Sequence, residues 1–339
     1  MAKKATISAI LIILAVGHTA LAFNAFPICT NSSQQWWPRI SDNTVVWSDR
    51  RGPLLSAIYG YDLNTRTEYS IWTNGDGGDM PSVNGSIVAW RNFTAPENDI
   101  FAKDLSTGQV TAVCSATGEQ WAPCVGTDII VWSDTRNGGQ DIYGNSLATG
   151  QELFVTTTGG INHEVEPWIS GNTVVWKDGR NGQMDIYGKD LGSGNEFPVC
   201  TALGIQTSPR IDGHTVVWKD ERSDTGDIYS KNLVTGQELL ICSATSEQFG
   251  PAISGNIIVW ADKRGADTDI YGFNLLSGTE FPICTDVGNQ EWPQISGNTV
   301  VWLDDRNGNW DLYGATVPEP ATLALLALGW AVMLRRKGR

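Results

Sequence analysis

The chain has 339 residues, 41% hydrophobic and 18% charged, with a formal net charge of −14. Setting aside Lys3, Lys4, Arg335, Arg336, Lys337, Arg339 and Glu319 at the two ends leaves 17 basic and 36 acidic side chains, a net of −19. Such a surface repels phosphate backbones, which argues against a nucleic-acid partner; 15 Trp and 37 Gly point to short strands joined by tight turns.

Residues 1–22 read as a secretory signal. Lys3 and Lys4 form a basic start, Ile7 to Val16 an apolar run, and Ala20-Leu21-Ala22 a small-residue cleavage site, with cleavage after Ala22. An uncleaved anchor is the alternative, but the apolar run is short for a span.

From residue 23 to 316 one unit recurs. Trp47, Trp90, Trp132, Trp176, Trp218, Trp260 and Trp302 follow one another at spacings of 43, 42, 44, 42, 42 and 42 residues. Each unit predicts four short strands. The first ends in a Pro-x-apolar step such as Pro209-Arg210-Ile211. A Gly-Asn turn leads to an alternating strand such as Thr173-Val174-Val175-Trp176. The third strand opens on Asp-Ile-Tyr, as at Asp185, and the fourth resembles Glu280-Phe281-Pro282-Ile283-Cys284. Four strands in about 42 residues is the signature of a propeller blade.

The ends of the array predict its closure. Phe26-Pro27-Ile28-Cys29 is a fourth strand with no first three before it, and Asp311-Leu312-Tyr313-Gly314 is a third strand with no fourth after it. Paired, they complete a seventh blade and hide both exposed edges. The expected fold is all-β: a seven-bladed β-propeller of four-stranded blades, closed by the N-terminal strand pairing into the last blade. The repeat, carried by Trp176-Lys177-Asp178-Gly179-Arg180-Asn181-Gly182, Asp185-Ile186-Tyr187 and Ser193-Gly194, resembles the TolB-like, WD40-like propeller family. The family's Ser-Pro-Asp-Gly turn is replaced by Ser-Gly-Asn, and no counterpart of TolB's N-terminal domain is expected. The resemblance therefore implies fold and not a role in TolB-style import.

Recurrence separates structure from chemistry, since a catalytic residue is needed once and a blade-stabilising one in every blade. Asp-x-Arg recurs in six repeats, at Asp49/Arg51, Asp134/Arg136, Asp178/Arg180, Asp220/Arg222, Asp262/Arg264 and Asp304/Arg306. These turns are expected to be held by charge-assisted hydrogen bonds. No cofactor is expected; if one turn takes Ca²⁺, Asp304, Asp305 and Asn307 are the metal-ligand candidates, although the Arg competes for the same carboxylates. A Gln lies three places before the Pro in five repeats: Gln35, Gln120, Gln206, Gln248 and Gln290, with Glu164 in a sixth. Ring closure would gather these side chains, with His163, at one channel mouth, the expected binding face; bonding to their own loops is the bland alternative. Non-recurrent aromatics that would stack on sugars are Trp36, Trp37, Trp121, Trp168, Trp292 and Trp310.

Five of the six cysteines, Cys29, Cys114, Cys200, Cys242 and Cys284, hold one place in five blades, too far apart for bridging. Only Cys114 and Cys124 are close in sequence, and a bridge there stays open. His18 lies in the signal, leaving His163 and His214. No nucleophile elbow or phosphate loop is present, so no catalytic residue is assigned.

The C-terminus carries Val317-Pro318-Glu319-Pro320, an apolar run over 321–334, and a basic tail from Arg335. It resembles the PEP-CTERM sorting signal of exported bacterial proteins, which implies an exosortase-like processing enzyme as partner. Until processing, or stably if it is a plain C-terminal anchor, the apolar run would hold the chain at the membrane, its basic tail inside. The sequence predicts an exported protein of the periplasm, outer surface or extracellular matrix, acting as a non-catalytic module for an extracellular glycan or protein ligand. The alternatives are a polysaccharide lyase using His163 and a purely structural surface protein.

Overall fold

A computed structural model describes residues 23–52, 56–93, 97–156, 165–223 and 225–317. His163, Glu164, the signal before residue 23 and the stretch from Pro318 onward lie outside the described residues. Within them the chain forms twenty-eight strands, β1 to β28 in chain order, and no helix. They assemble into seven antiparallel four-stranded sheets.

The first blade shows the pattern. Its inner strand β2 (Gln35–Ser41) pairs with β3 (Thr44–Asp49), then β4 (Ala57–Asp62) and β5 (Thr67–Trp72). β3 runs Thr44, Val45 and Val46 into Trp47, residue types that favour strands, and all of it but Thr44 is buried. The turn into β3 needs positive φ, which Asp42 adopts at 50° and Gly171 and Gly297 adopt at 55° and 57° in two later blades.

The ring closes as the end fragments predict. β1 (Phe26–Cys29) pairs antiparallel with β28 (Asp311–Thr316), with Phe26 opposite Gly314 and Cys29 opposite Leu312. The last blade is β26 (Gln290–Ser296), β27 (Thr299–Asp304), β28 and β1. Its inner strand β26 packs on β2, so inner strands run unbroken around the axis. Val317, placed with the sorting signal on sequence grounds, belongs to the folded unit. It is fully buried beside Trp302, Phe23 and Ala25, and its N–H donates to the Asn298 carbonyl at 2.8 Å.

The core sits between blades. All seven anchor Trp side chains are fully buried. Trp47 of the first blade packs with Val301, Leu303 and Leu312 of the last. Each Trp therefore ties its own blade to a neighbour. Losing one would cost about 3–5 kcal/mol.

Candidate functional site

The Asp-x-Arg turns are structural. In six blades the Asp accepts the anchor Trp indole N–H at 2.8–3.1 Å. The Arg two residues on returns its backbone N–H to the same carboxylate. Its guanidinium lies 4.0–4.4 Å over the Tyr ring of the third strand. In five blades it also pairs with a Glu on the fourth strand, and Arg306 pairs with Asp286 instead. The second blade is the exception: Asn92 replaces the Asp, and the buried Trp90 Nε1 has no partner.

The metal-ligand candidates are engaged in the same way. Arg306 occupies Asp304, Asp305 accepts the Asn289 side-chain amide at 2.8 Å, and Asn307 donates to Asp311 at 2.7 Å. Among the described residues no group of three acidic, His or Cys side chains is arranged to hold a metal ion.

All six cysteines are buried and unpaired, Cys114 and Cys124 included. Burial pushes the thiols up, Cys29 and Cys242 to about 12 and Cys114 and Cys200 to about 11.

The five glutamines do not line the channel mouth. Gln35, Gln120, Gln206, Gln248 and Gln290 are fully buried. Each amide nitrogen donates to a carbonyl of its own loop, as Gln120 does to Ala116 at 3.2 Å and Gln290 to Gly288 at 2.9 Å. Gln35 sits opposite Asp49, at the end of the blade bearing the Asp-Arg turns. The lining residues are two places further along.

Those two places matter because every inner strand breaks register there. The pairing slips between Trp36 and Arg39 in the first blade and at the equivalent step in all others. The residue before each Pro adopts positive φ, between 48° and 59°: Trp37, Met80, Ala122, Glu166, Ser208, Gly250 and Trp292. Left-handed backbone costs a side-chain-bearing residue about 1–2 kcal/mol, and a following Pro disfavours it further. Glycine would fit best, yet only one of the seven is Gly. All seven face one chamber of about 420 Å³.

Two residues further along, a second ring forms the waist: Arg39, Ser82, Cys124, Trp168, Arg210, Ala252 and Gln294. Beyond it lies a lower chamber of about 300 Å³, rimmed by Ser41, Asn84, Ser170, Asp212, Ser254 and Ser296. That third ring is structural. Ser41, Ser170, Asp212, Ser254 and Ser296 each accept a turn N–H from the next blade at 2.6–3.1 Å. Arg39, Trp168, Arg210 and Gln294 line both chambers and separate them.

The upper chamber is aromatic, and its lysines and glutamates are ion-paired. Trp37, Trp168, Trp292 and Phe249 line it, and Trp292 is 41% exposed. Lys219 and Lys263 both pair with Glu247, at 2.8 and 2.7 Å, and Lys177 pairs with Glu166 at 3.1 Å. Burial raises the Glu247 carboxyl, but the two lysines outweigh it and hold the group below its ordinary range. Of the other singled-out aromatics, Trp121 lines a neighbouring recess with Met80 and Met184, while Trp36 and Trp310 pack on the core.

The family model described as the TolB beta propeller domain matches residues 80–258. The chain belongs to this TolB-type propeller family. A PEP-CTERM protein-sorting motif matches residues 316–337, which marks the TolB-type propeller as exported and implies processing by exosortase-type machinery. No curated protein matches the sequence. Among solved structures, TolB from Acinetobacter baumannii is 18% identical with a TM-score of 0.52, over 70% of this chain and 62% of that one. This chain thus corresponds to less than two thirds of that TolB. The propeller domain of the Trilobed protease from Pyrococcus furiosus is 12% identical with a TM-score of 0.67, over 86% and 94%. An oligogalacturonate lyase in complex with manganese is 13% identical with a TM-score of 0.63, over 88% and 98%. At these identities the likenesses show the fold alone. Among the described residues no helix is long and apolar enough to cross a membrane, and the apolar run at 321–334 lies outside them.

Proposed function

We propose that this exported propeller is a non-catalytic binding module of the cell surface or extracellular matrix, taking a glycan or protein ligand in the upper chamber. One observation carries the reading. The ring before the prolines changes in character from blade to blade, from Trp through Met, Ala, Glu and Ser to Gly, while its strained backbone is kept in every blade. Non-glycine residues held in left-handed backbone concentrate where a ligand is read. The ring is also wide, partly apolar and preformed, as binding chambers are.

A glycan array probed with residues 23–317 tests this, alongside the Trp37→Ala/Trp292→Ala double variant. Selective signal that falls at least tenfold in the variant supports the reading, and no selective signal would favour a structural coat protein. The same propeller incubated with uronic-acid polymers should release no unsaturated product. Release that disappears in His163→Ala would replace this reading with a lyase.

A further inference from the structure

Two positive charges at the waist go unanswered by any carboxylate within ion-pair distance among the described residues. Arg39 stands on the first blade and Arg210 on the fifth, and both guanidinium groups lie over the Trp168 ring, at 5.2 and 4.2 Å from its centre. Each donates one hydrogen bond, from Nη1 to the carbonyl of the preceding proline, at 3.0 Å for Arg39 and 2.8 Å for Arg210. The Nε of each is buried without an acceptor, and Arg210 is only 8% exposed. Every arginine of the Asp-x-Arg turns has an acid, and so does each lysine of the chamber wall. Burial, and for Arg39 also the nearby Arg210, pushes these groups down, Arg39 to about 9, against the opposing pull of the Glu166 carboxylate, which lies beyond ion-pair distance. They stay charged at neutral pH. Holding two unpaired guanidinium groups in one channel is costly for a fold that places acids against the arginines of its turns.

We propose that Arg39 and Arg210 bind the carboxylate of an acidic sugar that enters through the upper chamber. This rests on the reading of that chamber as the ligand site. A guanidinium fork matches a planar carboxylate, and both side chains line the two chambers. The body of the protein carries a net charge of −19, so a long polyanion is repelled. A ligand with one acidic end, presented to the waist, avoids that repulsion. Its route passes Trp37 and Trp292, aromatic faces on which a sugar ring stacks, and ends at the two guanidinium groups over Trp168.

Calorimetric titration of residues 23–317 tests the assignment with glucuronate and galacturonate, their neutral counterparts glucose and galactose, inorganic sulfate, and a short peptide with a free C-terminal carboxylate. A uronate should bind at least tenfold more tightly than its neutral counterpart. The Arg39→Gln/Arg210→Gln variant should lose that preference, and its unliganded Tm should rise because the unpaired charges are gone. Equal affinity for uronate and neutral sugar would overturn the inference while leaving the chamber reading intact. A uronate preference that survives in the variant, tighter binding of sulfate or peptide, or no binding by any probe at millimolar concentration would overturn it as well.

Discussion

Asp220 accepts the Trp218 indole N–H at 2.8 Å and the Arg222 guanidinium at 2.6 Å on the same carboxylate oxygen. The two contacts join the anchor of a blade to the turn that caps it. Asp220→Ala would strand the buried indole N–H and leave the Arg222 guanidinium with Glu238 alone, a loss of about 1–3 kcal/mol. Urea unfolding monitored by fluorescence measures it. A loss below about 1 kcal/mol would mean that the turn is held by something else.

The carboxylates give stability two opposite pH dependences. Burial raises Asp49 and Asp220, but hydrogen bonds from Arg51, Ser33 and Trp47 for the first, and from Arg222 and Trp218 for the second, outweigh it and hold both below the ordinary range. Their contribution is present above the unfolded value of about 4 and disappears as pH falls through the depressed folded value. Asp269 is the reverse. Burial, with Asp262 and Asp267 beside it, pushes it up to about 6. Three other blades place an Asn donor after the turn Arg, and Asn181 reaches Asp185 at 2.7 Å, whereas here the position is Gly265. The folded state therefore keeps its proton longer than the unfolded one, and stability falls as pH rises from about 4 to about 6. Asp269→Asn should flatten that slope and add about 1 kcal/mol at pH 7, after allowance for its partial exposure. Unfolding free energies at pH 4, 5, 6 and 7 check both signs.

The strained ring is testable without any ligand. A Cβ added at Gly250 meets nothing within 4 Å, so Gly250→Ala isolates the backbone conformation from packing. With φ at 58° it should cost about 1 kcal/mol. Ala122, at φ 48°, should show the opposite sign as Ala122→Gly, with a gain of up to about 1 kcal/mol. Paired thermal melts read both. Two neutral results would mean that the ring is not held in left-handed backbone.

The thiols should be silent in the folded protein. Buried cysteines with raised pKa values do not form the reactive thiolate. Native protein at pH 8 should take up no thiol reagent within minutes, and urea-unfolded protein should take up six equivalents, the full count in the sequence. Four equivalents would reveal a disulfide.

Recurrence made the fold readable from the sequence. The seven anchor Trp residues marked the blades, and the orphan strands at Phe26 and Asp311 marked their own pairing. The same recurrence misdirected the site. Gln35, Gln120, Gln206, Gln248 and Gln290 stood out because they repeat, and they repeat because each closes a loop in its own blade. The residues that face the chamber differ from blade to blade, and two of them, Trp37 and Trp292, were legible as unrepeated aromatics. Arg39 and Arg210 carried no local signal. Their lack of an acid becomes visible only when the ring brings the first and fifth blades to the same indole.

The most direct test of the account is a crystal structure of residues 23–317 with the ligand selected by the glycan array. The account predicts ligand density within the upper chamber, in contact with Trp37 and Trp292 and reaching toward Trp168. Density on the outer edge of a blade, or only in the lower chamber behind Ser41 and Ser254, would contradict it.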